Sequence, residues 1–225
     1  MREEEGLLPV RRRTLRRLAA SAAIGAGGMT ALLQAALAAN PRPGIRSVKG
    51  TVMIDGAPAT PGQRIGPGQK VVTQADGEVV FVMGDNAFLQ RENSEFAVDA
   101  GAGTMVLRYL TGRVLSVFGK GKKTLITPTA TIGIRGTACY IEAAPERTYF
   151  CLCYGTAVLQ PAAAPGTRRT VKTLHHESPF YIGSDPAKPL IERAEVSNHR
   201  DSELVMLEEL VGRVPPFQGK GYTPY

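Results

Sequence analysis

Apolar and polar positions alternate in short runs through the middle of the chain, and nearly every run stops at a Gly, Asp or Asn. VKGTVMIDG (48–56) alternates and turns at Asp55-Gly56, a pair that tolerates the positive φ of a tight hairpin turn. KVVTQADGEVVFVMGDNAFLQ (70–90) predicts two strands around a turn at Ala75-Asp76-Gly77. FLQ, REN and SEFAVD (88–99) predict another short pair, and MVLRYLTGRVLSVFG (105–119) repeats the pattern with a turn at Thr111-Gly112. TLITPTATIGIRGTACYIEA (124–143) and RTYFCLCYGTAVLQP (147–161) close the run. No helical period runs through 45–161, and a turn signal recurs roughly every ten residues, which predicts an all-β sandwich, barrel or roll.

Beyond Pro161 the pattern changes. AAAPGTRR (162–169) reads as a linker or long loop, and TVKTLHHESPFYIG (170–183) as two further short strands. SNHRDSELVMLEELVGRVPPF (197–217) predicts one amphipathic helix near 199–211. Asn198 or Asp201 can cap it, Leu204, Leu207 and Val211 share one face, and Gly212 with Pro215-Pro216 stops it. So short a helix is marginal alone and is expected to pack on the β domain.

The N-terminus carries a different signal. RRRTLRRL (11–18) precedes LAASAAIGAGGMTALLQAALAA (18–39), a basic region followed by a weakly apolar one that ends in Ala36-Leu37-Ala38. This describes a secretory signal over 1–38, with cleavage after Ala38. Arg12-Arg13 with Thr14-Leu15 is similar to a twin-arginine (Tat) export signal. The rival reading is an uncleaved anchor, since 18–39 is long enough to span a bilayer. The organisation expected is therefore 1–38 signal, 45–161 β domain, and 162–225 extension. Export places the protein in the periplasm or outside the cell, and a membrane partner is expected only if the segment stays uncleaved.

Charge changes the picture little. The formal net charge is +7, from 27 Lys+Arg and 20 Asp+Glu. The segment 1–38 holds six of those basic and three of those acidic residues, so the remainder carries only +4. No aromatic–basic platform for single strands is visible, and nucleic acid is excluded as the main partner.

Several motifs together resemble a FecR-type domain, the family of the bacterial ferric-citrate regulator. They are Gly50–Ala59 (GTVMIDGAPA), Arg64–Thr73 (RIGPGQKVVT), Ala75–Glu78, Leu110–Ser116 (LTGRVLS), Thr127–Thr137 (TPTATIGIRGT) and Tyr154–Val158 (YGTAV). The resemblance covers about half the chain, Val48 to Leu159, and Thr127, Pro128, Gly133, Arg135, Gly136 and Thr137 carry its most specific stretch. It implies a periplasmic β-roll or sandwich that works by interaction, with an envelope protein or glycan as partner. The family's founding type adds a cytoplasmic sigma-factor regulator, for which too few residues precede the signal-like segment here.

Two segments carry candidate chemistry. Gly133 and Gly136 flank Ile134-Arg135, so that segment marks a bend or bulge, with Arg135 either pinning the corner to a carboxylate or facing a ligand. Cys139, Cys151 and Cys153 sit on adjacent strands of one predicted hairpin, and Cys151 and Cys153 share a face because the strand period is two. They are buried core thiols, or Cys139 joins one of the others in a disulfide, or the three join His175 or His176 around a metal. The sequence as a whole describes a non-catalytic exported binding module, with no catalytic residue, metal or cofactor expected. Its rivals are a membrane-tethered signalling accessory and a metal-binding protein or enzyme using the three cysteines.

Overall fold

The computed structural model of the chain describes residues 43–99 and 104–225. The signal-like segment and its cleavage site lie outside the described residues. Among the described residues no helix is long and apolar enough to cross a membrane.

Among the described residues the fold is all-β, with one short helix near the C-terminus. Two sheets face each other. One contains β1 (Gly44–Lys49), β5 (Glu78–Met83), β6 (Asn86–Gln90), β11 (Ala138–Ala143), β14 (Pro179–Gly183) and β15 (Ile191–Arg193). The other contains β2 (Val52–Ile54), β3 (Ala57–Pro58), β4 (Lys70–Thr73), β7 (Ser94–Val98), β9 (Lys122–Ile126), β10 (Ala130–Arg135) and β13 (Arg169–Thr173).

Two long strands, β8 (Met105–Val117) and β12 (Arg147–Pro161), belong to both. The first part of β8 pairs with β7 and, in parallel, with β9; from Gly112 onward it pairs with β11. Likewise β12 pairs with β11 and β14 up to Tyr154, then with β10 and β13 from Gly155 onward. Each crossing falls on a glycine at positive φ, 81° at Gly112 and 101° at Gly155. At Gly112 a Cβ would lie 2.2 Å from Ser94 Oγ and 2.5 Å from Asn93 O, so both the dihedral and the space exclude a side chain.

These crossings correct two sequence expectations. Thr111-Gly112 is a bend within one continuous strand, not a hairpin turn. Ala75-Asp76-Gly77 joins β4 to β5 in different sheets, so it is an arch between layers rather than a hairpin. By contrast Asp55-Gly56 does close the β2–β3 hairpin, with φ 50° and 83°.

Between the sheets lies an aromatic core of Phe81, Phe88, Phe96, Tyr109, Phe150 and Phe180 with Leu125, Ile132 and Ile141. Phe81 and Phe88 stack with centroids 4.8 Å apart. The first sheet is buried on its outer face too. There Val80, Val82, Leu89, Leu115, Val117 and Tyr140 pack beneath Leu204, Met206, Leu207 and Leu210 of α1 (Asp201–Leu210) and Phe217 of the segment after it. Burial on both faces explains the unbroken apolar run of β5, in which Val80 and Val82 point one way and Phe81 the other.

The helix falls inside the predicted 199–211 span, with Arg200 at its N-cap and Glu203 accepting from Arg200 N at 3.0 Å. Arg91, just after β6, fastens it to the sheet through Glu203 at 2.7 Å and the Asn198 carbonyl at 3.1 Å.

Candidate metal centre

Strand β12 turns Cys151 and Cys153 toward the helix-covered layer. The loop after β13 brings His176 over them, its backbone N–H donating to Cys153 O at 3.0 Å. His176 itself holds φ 59° and Asn198 holds φ 62°, left-handed conformations that Asn and His adopt more readily than most side chains. Asn198 leads into His199, whose ring stacks on Tyr140 with centroids 4.6 Å apart. The result is a cluster of two thiols and two imidazoles, each offering a ligand atom within 4.8 Å of the others. All four residues are buried: both cysteines at 0%, His176 at 4% and His199 at 2% exposure.

The hydrogen bonds around the cluster fix its protons. His199 Nδ1 lies 2.7 Å from Ser197 O, and a carbonyl only accepts, so Nδ1 carries the hydrogen. His176 Nε2 lies 3.0 Å from Asp201 Oδ1 and donates there. In their neutral forms the remaining nitrogens, His176 Nδ1 and His199 Nε2, are therefore both acceptors. They stand 3.1 Å apart, with Cys151 Sγ 3.6 Å from His176 Nδ1. Two lone pairs do not face each other in a buried site without a cation between them, either a proton or a metal.

The electrostatics match. Burial alone would raise the Cys151 thiol, but hydrogen bonds from Cys153, His176 and His199 bring it well below its ordinary value. Burial would lower His176, yet its bond to Cys151 and then Asp201 raise it. Burial also opposes the Asp201 charge, but His175, the Tyr225 backbone N–H and His176 hold its carboxyl below the usual range. Cys153, buried beside Cys151, is pushed well up.

The same atoms suit a tetrahedral ion. Zinc bonds of about 2.3 Å to sulfur and 2.0–2.1 Å to nitrogen put ligand atoms about 3.3–3.8 Å apart, close to the 3.1 and 3.6 Å separations found here. Both histidines also have the outer support that metal-bound imidazoles need, Asp201 behind His176 and Ser197 O behind His199. Asp201 is itself held by His175 Nε2 at 2.8 Å and Tyr225 N at 3.1 Å.

Cys139 lies elsewhere. In the β11–β12 register it faces Leu152, and its side chain enters the core between the sheets. A disulfide from Cys139 to Cys151 or Cys153, and a three-cysteine metal site, are therefore both corrected: the sheet itself separates Cys139 from the other two. His199 takes the place expected of a third thiol, and no local spacing announces it. Of the pair named from sequence, His176 enters the cluster and His175 stands behind Asp201.

The Thr127–Thr137 stretch forms a corner between the sheets. The Thr127 hydroxyl accepts from Ala130 N at 3.0 Å and lies 2.9 Å from the Thr148 hydroxyl. Pro128 is exposed beside it, and Gly133 sits mid-strand in β10, with open space where a Cβ would point. Gly136, at φ 58°, and buried Thr137 carry the chain from β10 to β11. Arg135 is exposed next to its register partner Lys122 and makes no ion pair among the described residues. The expected carboxylate pin is thus not found there; the backbone turn at Gly136 makes the bend.

No protein-family model matches the chain, and no curated protein matches it. Two crystal structures of a proposed anti-sigma factor from Parabacteroides distasonis ATCC 8503, at 1.65 and 2.50 Å resolution, align with it at 7% identity and a TM-score of 0.47. The alignments cover 56% of this chain and 60% of theirs, less than two thirds of either. Likeness at that level assigns no function.

Proposed function

We propose that the protein is a non-catalytic, metal-binding β module of the bacterial cell envelope, holding one zinc-class ion through Cys151, Cys153, His176 and His199. The observation that carries this reading is the 3.1 Å approach of His176 Nδ1 to His199 Nε2, both acceptors, beside two buried thiols. Two thiolates and two imidazoles in tetrahedral reach favour zinc over the harder divalent ions. Four protein ligands leave no position for water or substrate, the pattern of a structural rather than a catalytic ion. Each thiol gives up its proton on binding, and the two thiolates balance the divalent charge. The signal-like N-terminus and the FecR-type resemblance of Thr127–Thr137 support an exported interaction module, and a Tat-like route suits cargo that folds around its ion before export.

The test is metal analysis of the purified protein by mass spectrometry. About one zinc per chain is expected, falling below a tenth in Cys153→Ser and His199→Ala. A protein that takes up no zinc from micromolar solution would sink the reading.

A second reading rests on one observation, the series Cys151–His176–Asp201, arranged as a nucleophile, its base and an orienting carboxylate. Against it, Cys151 is wholly buried under the helix layer. Iodoacetamide separates the two: slow alkylation of native Cys151 supports the metal site, and rapid alkylation that Asp201→Asn suppresses supports the nucleophile.

A further inference from the structure

The buried Cys–His cluster has one thinly covered side, and what covers it is the segment 218–225. Every residue from Gln218 to Tyr225 is exposed. The segment starts from Phe217, which is buried and packs on the His175 ring with centroids 4.8 Å apart. It ends at Tyr225, whose ring centroid lies 5.8 Å from those of both ligand imidazoles, His176 and His199. Tyr140 packs on His199 and Phe217 on His176, but they are 0% and 7% exposed against 43% for Tyr225. Among these three rings Tyr225 is the one that stands between the ligands and water.

Three hydrogen bonds hold the far end of this strap. Tyr225 N donates to Asp201 Oδ2 at 3.1 Å, Asp201 N donates to Tyr225 O at 3.0 Å, and Tyr225 Oη donates to Val196 O. Within the strap Gly219 and Gly221 have open space where a Cβ would point, so nothing wedges it against the domain at those positions. A segment with few buried apolar contacts and solvent-exposed hydrogen bonds opens far more cheaply than the whole fold. The other cover, α1, buries Leu204, Met206 and Leu207 at 0% exposure and does not lift without disrupting its layer.

Beside the ring lies a groove of about 590 Å³, lined by both Tyr225 and His199. Arg91 and Arg113 in its wall are paired with Glu203 and Glu92. Arg200 is the one lining cation without an ion pair among the described residues, so little net charge opposes a cation there. The groove brings solvent to the Tyr225 ring on the side where His199 stands.

We propose that this groove is the port through which the zinc-class ion enters and leaves, and that the Tyr225 ring is its gate, swinging out on the strap 218–225. The proposal rests on the reading of Cys151, Cys153, His176 and His199 as the ion's ligands. A gate differs from a prop in what its loss changes. Losing a prop speeds release and weakens affinity together. Losing a gate speeds uptake and release by the same factor and leaves the Kd where it was, because the ring blocks both directions alike.

The experiment loads the full chain with zinc of natural isotope composition, adds an excess of zinc-67, and follows isotope exchange by plasma mass spectrometry of the desalted protein. Competition with a chelator gives the Kd. Tyr225→Ala removes the ring and its bond to Val196 but keeps both main-chain bonds to Asp201. It is expected to speed exchange at least fivefold, with the Kd within twofold of wild type and one zinc per chain. Tyr222→Ala strips a ring that packs on His175 at 4.7 Å rather than on a ligand, and is expected to change exchange less than twofold. A smaller acceleration in Tyr225→Ala, with zinc still bound, overturns the gate alone. So does a Kd that rises in step with the exchange rate, or an equal acceleration by Tyr222→Ala. A wild-type chain that binds no zinc sinks the reading of the cluster and the gate with it.

Discussion

Cys139 and Cys151 stand on neighbouring strands of one sheet and face opposite ways, Cys139 beside Leu152 in the core and Cys151 under the helix. They therefore have separable effects. Cys139→Ser buries a hydroxyl where a thiol packed and is expected to cost about 1–3 kcal/mol while zinc content stays at one per chain. Cys151→Ser is expected to abolish zinc binding. Calorimetry with metal analysis checks both, and loss of zinc from Cys139→Ser would contradict the facial separation.

Removing the metal should loosen the extension before the β domain. His176 and His199 tie the segments around α1 to β12, so the ion's binding energy is folding energy for that layer. An ion in thousandfold excess over its Kd adds about 4 kcal/mol, roughly 8–16 °C in melting temperature at this size. Chelation is expected to lower the melting temperature by that order and to speed hydrogen exchange in 201–210 more than in β5 or β6. Equal exchange in both forms would count against the coupling.

Gly112 is expected to tolerate no side chain. Gly112→Val places a Cβ on Ser94 and Asn93 at a φ of 81°, and strain of this kind costs about 1–3 kcal/mol before the clash is added. Gly133→Val, mid-strand with open space at its Cβ, is the control and is expected to be near neutral. Denaturant melts of the two variants decide the matter, and equal midpoints would refute the sheet-crossing role of Gly112.

Asp55 gives the fold an acid-sensitive turn. Its carboxylate accepts from Lys70 N at 2.8 Å and Gln69 Nε2 at 3.0 Å, and the Lys70 backbone bond, followed by Gln69, holds its pKa below the usual value. A depressed carboxylate stabilises the fold above its unfolded value and loses that contribution as pH falls through the folded one. The melting difference between wild type and Asp55→Ala is thus expected to be full at pH 6 and to shrink below pH ~3.9. A difference that does not change from pH 6 to pH 2 would show that the charge plays no part.

Much of the fold was legible because strands declare themselves locally. Alternation in VKGTVMIDG and the unbroken EVVFVM run predicted strands where strands are found, and the Leu204–Leu207 spacing predicted α1. What the sequence did not disclose was which strands meet. Asp76-Gly77 has the composition of a hairpin turn but serves as an arch between sheets, because its flanking strands find better partners elsewhere. Thr111-Gly112 reads as a turn because glycine marks any sharp change of direction, including a bend inside one strand. The metal cluster was half legible: the two-residue period placed Cys151 and Cys153 together. Register alone decides that Cys139 turns away, and only the tertiary path through Asn198 delivers His199.

Because β8 and β12 each run through both sheets, neither sheet can be peeled off as a unit. Pulling either long strand from one layer drags on the hydrogen bonds of the other, and the two crossing glycines act like rivets through a laminate. The β domain should therefore fail in a single step under heat, denaturant or mechanical load. A half-open intermediate with one sheet intact, the species from which sandwich proteins exchange strands and aggregate, has no seam along which to form.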